Sequence, residues 1–476
     1  MEGFMNTADS KSKEQKELEK LLQQKQQLLQ RQNSEYLNDL FSMNTTKPVK
    51  VGSIQVNNSD NFRVGFLNAQ FSPLDKQQFT LRSFVESLDQ VTRNFTKVNV
   101  LENLVIQLNS AQPQQKLYIP TNPDSMTLIP TFNLFPVKRF YAKTGSNIGN
   151  GEGDGYIQFQ FKNLFGGAEN VSFDATTGTR TSSSYLLNYN MPINNNTSYV
   201  WENLFYVNSR SLEWIGCETK NTGINTKIST RYDGPINHEI GLSSIWRILD
   251  NKSAKSLSIL NQCGHNFKSA LSYNFIYDTR NNKHLPNTGK LFRAGVELGG
   301  LTKLSSHEFI KTICETQFTS KLGVSSHLIF TNKFGFLHSA KESFILDRFF
   351  MGGPNDVRSF SLNGLGPKSY GKSLGGDAFL NGGVSLISRL PYTSHDSNFK
   401  LHNFFNYGAL QLYNHTQSPQ QNLRNLFGSF STSIGLGVLY NHPMARFELN
   451  FVLPLTAHER DFNRKGLQYG VGISFL

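Results

Sequence analysis

The side chains best equipped for covalent or metal chemistry in this 476-residue chain stand apart from one another. Cys217, Cys263 and Cys314 are isolated and odd in number, so neither a disulfide framework nor a paired metal-ligand spacing is expected. Each reads as a small buried side chain rather than a reactive thiol. His402, His442 and His458 are scattered and read as structural or solvent-facing. No Walker-type phosphate loop, no zinc spacing and no paired general acid and base stands out, so no catalytic residue, metal or cofactor is assigned. With no such group assigned, the pattern of the elements carries the information.

Composition favours strands. The chain has 38 Phe, 17 Tyr and 38 Gly, a balance suited to strand-rich protein. Mean hydropathy is −0.39, and no stretch approaches the ~18 consecutive apolar residues of a spanning helix. A helical membrane protein is thereby excluded, but a barrel is not, because half of each barrel strand faces a polar lumen. The net charge of +12 is spread over polar strand positions and loops, which reads as a basic surface or lumen and not as a nucleic-acid site. Residues 1–10 carry Glu2 and Asp9 without an apolar core, so neither a secretory signal nor a mitochondrial presequence is expected. For a barrel, that combination is easier to place in mitochondria than in a bacterial outer membrane.

Three regions follow from the patterning. Residues 1–48 form a Gln- and Lys-rich extension, helical over 11–41, with Leu18, Leu22, Leu29, Tyr36 and Leu40 on one narrow stripe. Residues 49–138 read as a β-α-α-β-β unit. Its strands fall at 49–56, around Val98 to Leu108, and at 126–136; its helices fall at 63–71 and 79–93. From 139 to 476 period-two alternation takes over. Phe447, Leu449, Phe451 and Leu453 oppose Arg446, Glu448, Asn450 and Val452; similar alternation marks 155–163, 429–440 and 467–475. A soluble sandwich also alternates, but ~340 residues without a helix-period segment leave room for about 16 strands of about 21 residues with their turns. The fold class expected is a membrane β-barrel of about 16 antiparallel strands, preceded by one small α+β domain.

Four stretches carry a family likeness. Asp347-Arg-Phe-Phe-Met-Gly-Gly-Pro-Asn-Asp-Val-Arg-Ser-Phe360 resembles the long-loop motif of the superfamily that contains bacterial BamA and the mitochondrial sorting and assembly machinery. There the loop folds back into the barrel lumen near 347–375. Gly352 and Gly353 suit a sharp reversal. The resemblance implies that Arg358, flanked by Val357, Ser359 and Phe360, anchors the loop in the lumen. Ser359 stands where the family usually has Gly, so the local turn is expected to differ. Ser385 and Asn406 occupy the positions that supply acidic partners in the bacterial branch; neither is charged, so Arg358 is expected to rely on amide, hydroxyl or carbonyl oxygens. The C-terminal Gln468, Gly470, Ile473 and Phe475 fit the β-signal of outer-membrane barrels. The early Asn163-Leu-Phe-Gly-Gly-Ala-Glu-Asn170 resembles a family hairpin, and residues 49–138 resemble a POTRA domain.

The resemblance implies a non-enzymatic insertase for β-barrel precursors such as porin, sited in the mitochondrial outer membrane with its POTRA domain in the intermembrane space. Metaxin-like helper subunits and the lipid bilayer are the implied partners. Precursor strands would add to a lateral gate between the first strand, with Val137, Phe140 and Ala142, and the last, where Gly470 and Gly472 either weaken the seam or make room in the lumen. The alternative function is a protein-conducting outer-membrane pore of the same superfamily, of the two-partner secretion or plastid-envelope type.

Overall fold

The computed structural model describes residues 41–472 except 77, 111–125, 150–151, 232–233, 324, 394–396 and 443–444, together with 25, 35, 36 and 39. Nearly all of the helix expected at 11–41 lies outside these residues, as do Ile473 and Phe475 of the C-terminal signal. The chain divides into two compact units, residues 1–137 and 138–476.

The first unit has the β-α-α-β-β order. Strand Pro48–Val51 runs parallel to Met126–Pro136, on whose other side Leu101–Ser110 lies antiparallel. Helices Val64–Phe71 and Leu81–Val98 pack their apolar faces on this sheet, burying Phe66, Phe84, Val91, Phe95, Phe132 and Leu134. The second helix starts at a capping box in which the Thr80 hydroxyl accepts from the Ser83 backbone N–H, an arrangement worth about 1 kcal/mol. It ends at Asn99, whose left-handed backbone (φ 51°) stops it. Val98, expected in a strand, is therefore the last helical residue: its burial beside Phe95 completes the helix stripe. Val137, expected in the first gate strand, also belongs here, because its N–H donates to the Val100 carbonyl.

In the second unit sixteen strands form one antiparallel sheet in strict chain order among the described residues, as the alternation implied. The first is Phe140–Gly149 and the last Gly466–Gly472. These two come together side by side, yet no ladder of backbone hydrogen bonds joins them among the described residues. The usual inside–outside rule is inverted along the wall. Leu449 and Phe451 are 55% and 61% exposed, whereas Glu448 and Asn450 on the same strand are 3% and 2% exposed. Apolar side chains facing outward and polar ones facing inward are what a barrel in lipid requires, because its outer face meets hydrocarbon.

Among the described residues two helices interrupt the all-strand expectation, Leu257–Leu260 and Pro419–Gly428, both in hairpin loops. The hairpin at 163–170 is closed by its own side chains. The Glu169 carboxylate accepts from the Gly167 N–H (2.8 Å), and Asn163 Oδ1 accepts from the Ala168 N–H (2.9 Å), which closes a turn buried at Asn163, Ala168 and Glu169.

Candidate functional site: the inward loop and the closing strands

The loop of residues 340–377 joins the eleventh strand, Ser326–Ser339, to the twelfth, Ala378–Arg389. It packs inside the barrel through an apolar cluster that includes Phe349, Met351, Val357, Phe360 and Leu365 against Phe309, Leu337, Phe379 and Leu410 of the wall. At the loop's start Asp347 receives Arg247 (2.7 Å) and Lys268 (3.2 Å), two lumen-facing bases from the seventh and eighth strands. The Arg348 guanidinium, also buried, donates to the Ser343 hydroxyl and the Leu374 carbonyl.

Gly352 and Gly353 make the reversal, with φ of 106° and 136° that side chains other than glycine's rarely adopt. Asp356 closes the turn by accepting from the Gly352 N–H (2.8 Å) and from Asn381 Nδ2 (2.6 Å). The next four residues, Val357, Arg358, Ser359 and Phe360, are fully buried.

Arg358 has a charged partner after all. Its Nε donates to Glu448 Oε2 (3.0 Å) and its Nη2 to Glu448 Oε1 (3.2 Å), a two-pronged contact with the fifteenth strand, Arg446–Thr456. Nη1 donates to Asn406 Oδ1 (3.1 Å), and the guanidinium stacks 4.6 Å from the Phe404 ring centre. Asn406 thus stands where the family likeness put it. Ser385 does not take the part expected of it: its hydroxyl lies 3.0 Å from Nε2 of the buried His402. The uncharged environment expected for Arg358 fails because the carboxylate comes from two strands further on, 90 residues away in sequence. Sequence alternation had already put Glu448 on the polar face; nothing local links it to Arg358.

Glu448 holds more than one cation. It also contacts the Arg446 guanidinium and accepts from Asn450 Nδ2 (2.7 Å), so two buried arginines share one buried carboxylate. Register explains part of how this fits. Gly470 pairs with Glu448 and Gly472 with Arg446 across the last ladder, so the last strand presents no side chain beside either charged group. On the thirteenth strand, Phe399–Gln411, a Cβ at Gly408 would lie 2.7 Å from Met351 Sδ and 2.8 Å from a Val357 methyl. There too a glycine gives the loop its room.

The loop also reaches the closing strand directly. The Ser359 N–H donates to Gln468 Oε1 (3.0 Å), Gln468 Nε2 donates to the Phe360 carbonyl (3.5 Å), and Asn355 Nδ2 donates to the Val471 carbonyl (2.9 Å). Ser359 keeps the left-handed conformation (φ 73°) despite its side chain, and its hydroxyl donates to the Arg464 carbonyl (2.7 Å). The Ser433 hydroxyl of the fourteenth strand, Ser431–Asn441, donates to the Arg358 carbonyl (2.7 Å). Phe140 and Ala142 lie in the first strand, away from this network. The cysteines are less isolated than their spacing suggested: Cys217 and Cys263 meet in the apolar cluster of Ile215, Leu249, Ile259 and Phe344.

Residues 163–475 match the family model of the Omp85 superfamily domain. This chain belongs to the Omp85 superfamily. It is 30% identical to the sorting assembly machinery 50 kDa subunit of Saccharomyces cerevisiae over 91% of this chain and 95% of that one. A SAM50-like protein of Schizosaccharomyces pombe is also 30% identical, over 92% and 94% of the two chains. The human sorting and assembly machinery component 50 homolog is 32% identical over 73% of this chain and 75% of that protein. Among solved structures, BamA from Haemophilus ducreyi lacking POTRA domains 1–3 superposes with a TM-score of 0.72 at 13% identity, covering 89% of this chain and 84% of that one. At that identity the likeness speaks for the fold. This Omp85 chain is accordingly a SAM50- and BamA-like barrel with a POTRA-like N-terminal domain.

Proposed function

We infer that this Omp85 barrel is the membrane-embedded insertase of a sorting and assembly machinery, which folds β-barrel precursors into the mitochondrial outer membrane. Its POTRA-like domain lies in the intermembrane space. The observation that carries the reading is the seam: one sheet of sixteen strands whose first and last members lie side by side without a ladder among the described residues. An unpaired backbone edge is costly in hydrocarbon, so a seam of this kind is a place where a client strand gains the hydrogen bonds it lacks. The client's terminal strand adds to Phe140–Gly149, and Phe140 and Ala142 flank the incoming strand. The loop residues Gly352, Gly353, Val357, Arg358, Ser359 and Phe360 hold the closing strand through Gln468 while the other edge opens. Folding of the client drives the process, and no nucleotide or metal takes part. Porin is the expected client, and metaxin-like proteins are the expected helpers.

The pore alternative has less behind it. The relatives that match nearly the whole chain are assembly-machinery subunits, while CdiB from Acinetobacter baumannii, with a TM-score of 0.51 at 14% identity over 90% of this chain and 73% of that one, shares only the fold. The test is import of radiolabelled porin precursor into mitochondria depleted of this protein, scored by assembled complex on native gels. Loss of porin assembly with presequence import intact supports the insertase; normal porin assembly overturns it.

A further inference from the structure

The loop between the thirteenth and fourteenth strands carries the helix Pro419–Gly428, and this helix lies on the outer wall of the barrel. Strand alternation shows where. Asn406, Gly408 and Leu410 face the lumen and touch the inward loop, so Phe405, Tyr407 and Ala409 face outward. Phe405 is 38% exposed, as an outward residue should be, but Ala409 is completely covered, and the helix packs on the twelfth and thirteenth strands.

The helix is divided along its length. At about 3.6 residues per turn, Pro419, Asn422, Leu423, Leu426 and Phe427 fall on one half, and Gln420, Gln421, Arg424 and Asn425 on the other. Asn422 and Leu426 face the wall and are buried; Asn422 is spent on the Asn414 backbone. Leu423 is left 51% exposed beside the outward Phe334 and Phe336 of the eleventh strand, and Phe427 is left 55% exposed with its ring 6.2 Å from that of Phe430. Between helix and wall runs an apolar groove of about 260 Å³ lined by Phe334, Phe336, Ala378, Tyr413, Leu423 and Leu426. The helix's only charged residue is Arg424, on the polar half.

We propose that this helix is an interfacial lipid anchor. It lies in the headgroup layer at that rim of the barrel, places Leu423 and Phe427 among the acyl chains, and seats one phospholipid chain in the groove behind Leu423. The occupant follows from continuity: the groove opens onto the same outward apolar surface that the strands present to lipid. Exposed Leu423 and Phe427 on one half and Gln420, Gln421, Arg424 and Asn425 on the other give the segregation of a helix lying in a membrane surface. The anchor gives the barrel a fixed height in the leaflet on the side of the inward loop's entry.

This proposal rests on the reading of the outer wall as lipid-facing, and its test keeps the two apart. The full chain is reconstituted in vesicles of phosphatidylcholine and phosphatidylethanolamine with a photoreactive benzoylphenylalanine replacing Leu423, Phe427, Gln421, Asn425 or, as the wall control, Phe451. Folding of each variant is confirmed by heat-modifiable migration, and adducts are identified by mass spectrometry. Phospholipid adducts at 423, 427 and 451, with little at 421 and 425, are expected. Equal labelling at all four helix positions, or protein adducts alone at 423 and 427 while 451 labels lipid, overturns the anchor. Absence of lipid adducts at 451 overturns the membrane reading itself.

Discussion

The two edge strands of the barrel sheet, Phe140–Gly149 and Gly466–Gly472, are neighbours in space but differ in what holds them. The last strand pairs along its described length with the fifteenth, and from inside it is gripped by the loop through Ser359, Phe360 and Asn355. The fifteenth strand is in turn fixed by Arg358 on Glu448. Among the described residues the first strand pairs only with its hairpin partner, Glu152–Lys162, and its residues from Phe140 to Ser146 are largely exposed. One edge is built into a buried polar network; the other is a free template. Under the proposed function, this difference makes the first strand the edge that receives the client.

The strongest way to break that comparison is to tie the edges together. Cysteine pairs scanned between 140–146 and 467–471 should, once oxidised, abolish porin assembly while the barrel stays folded, and reductant should restore it. Full activity in a quantitatively cross-linked barrel would show that the seam does not open. Next in size is Glu448→Ala, which leaves Arg358 and Arg446 buried without their shared counter-charge. Its cost should be about 3–5 kcal/mol, read as a large fall in the temperature at which heat-modifiable migration is lost. Replacing both partners with Arg358→Met and Glu448→Leu should recover part of that stability, though Arg446 still lacks its carboxylate.

Gln468→Ala removes one grip on the last strand and should destabilise the barrel by only about 1 kcal/mol. Its sharper readout is the rate of cross-linking between the edges, which should change as the clasp loosens, whereas the equivalent change at Ala142 in the first strand, Ala142→Ser, should leave stability unmoved. The smallest effect is expected for Ser359→Gly. Relief of the left-handed backbone and loss of the hydroxyl's bond to the Arg464 carbonyl oppose each other, so the net change should stay within about 1 kcal/mol in melting experiments.

How much of this was legible beforehand varies with distance along the chain. The wall was readable because alternation is local: Phe447, Leu449 and Phe451 announce one face within six residues, and a strand has only two faces. The glycine reversal at 352–353 was readable for the same reason, since positive φ is a property of single residues. The helix at Pro419–Gly428 was missed although Ser418 and Pro419 form a start signal, because its apolar residues are few and divided between wall and flank. Val137 fell inside the expected 49–138 domain but was also placed in the first gate strand; its N–H donates to the carbonyl of Val100, just before strand Leu101–Ser110, a long-range pairing that no local pattern marks.

Arg358 marks the boundary between the two kinds of information. Its sequence neighbourhood determined that it sits on a loop after a sharp turn, among residues suited to burial. That Glu448, and not Ser385, neutralises it was decided only when the sheet curled round and the loop entered it. The physical reason is that sequence determines side-chain direction residue by residue, through backbone conformation and pleat, whereas which charges meet inside a lumen depends on register summed over many strands. The same division holds for the seam: alternation and turns made sixteen strands, but only closure put the first beside the last, with no ladder between them among the described residues.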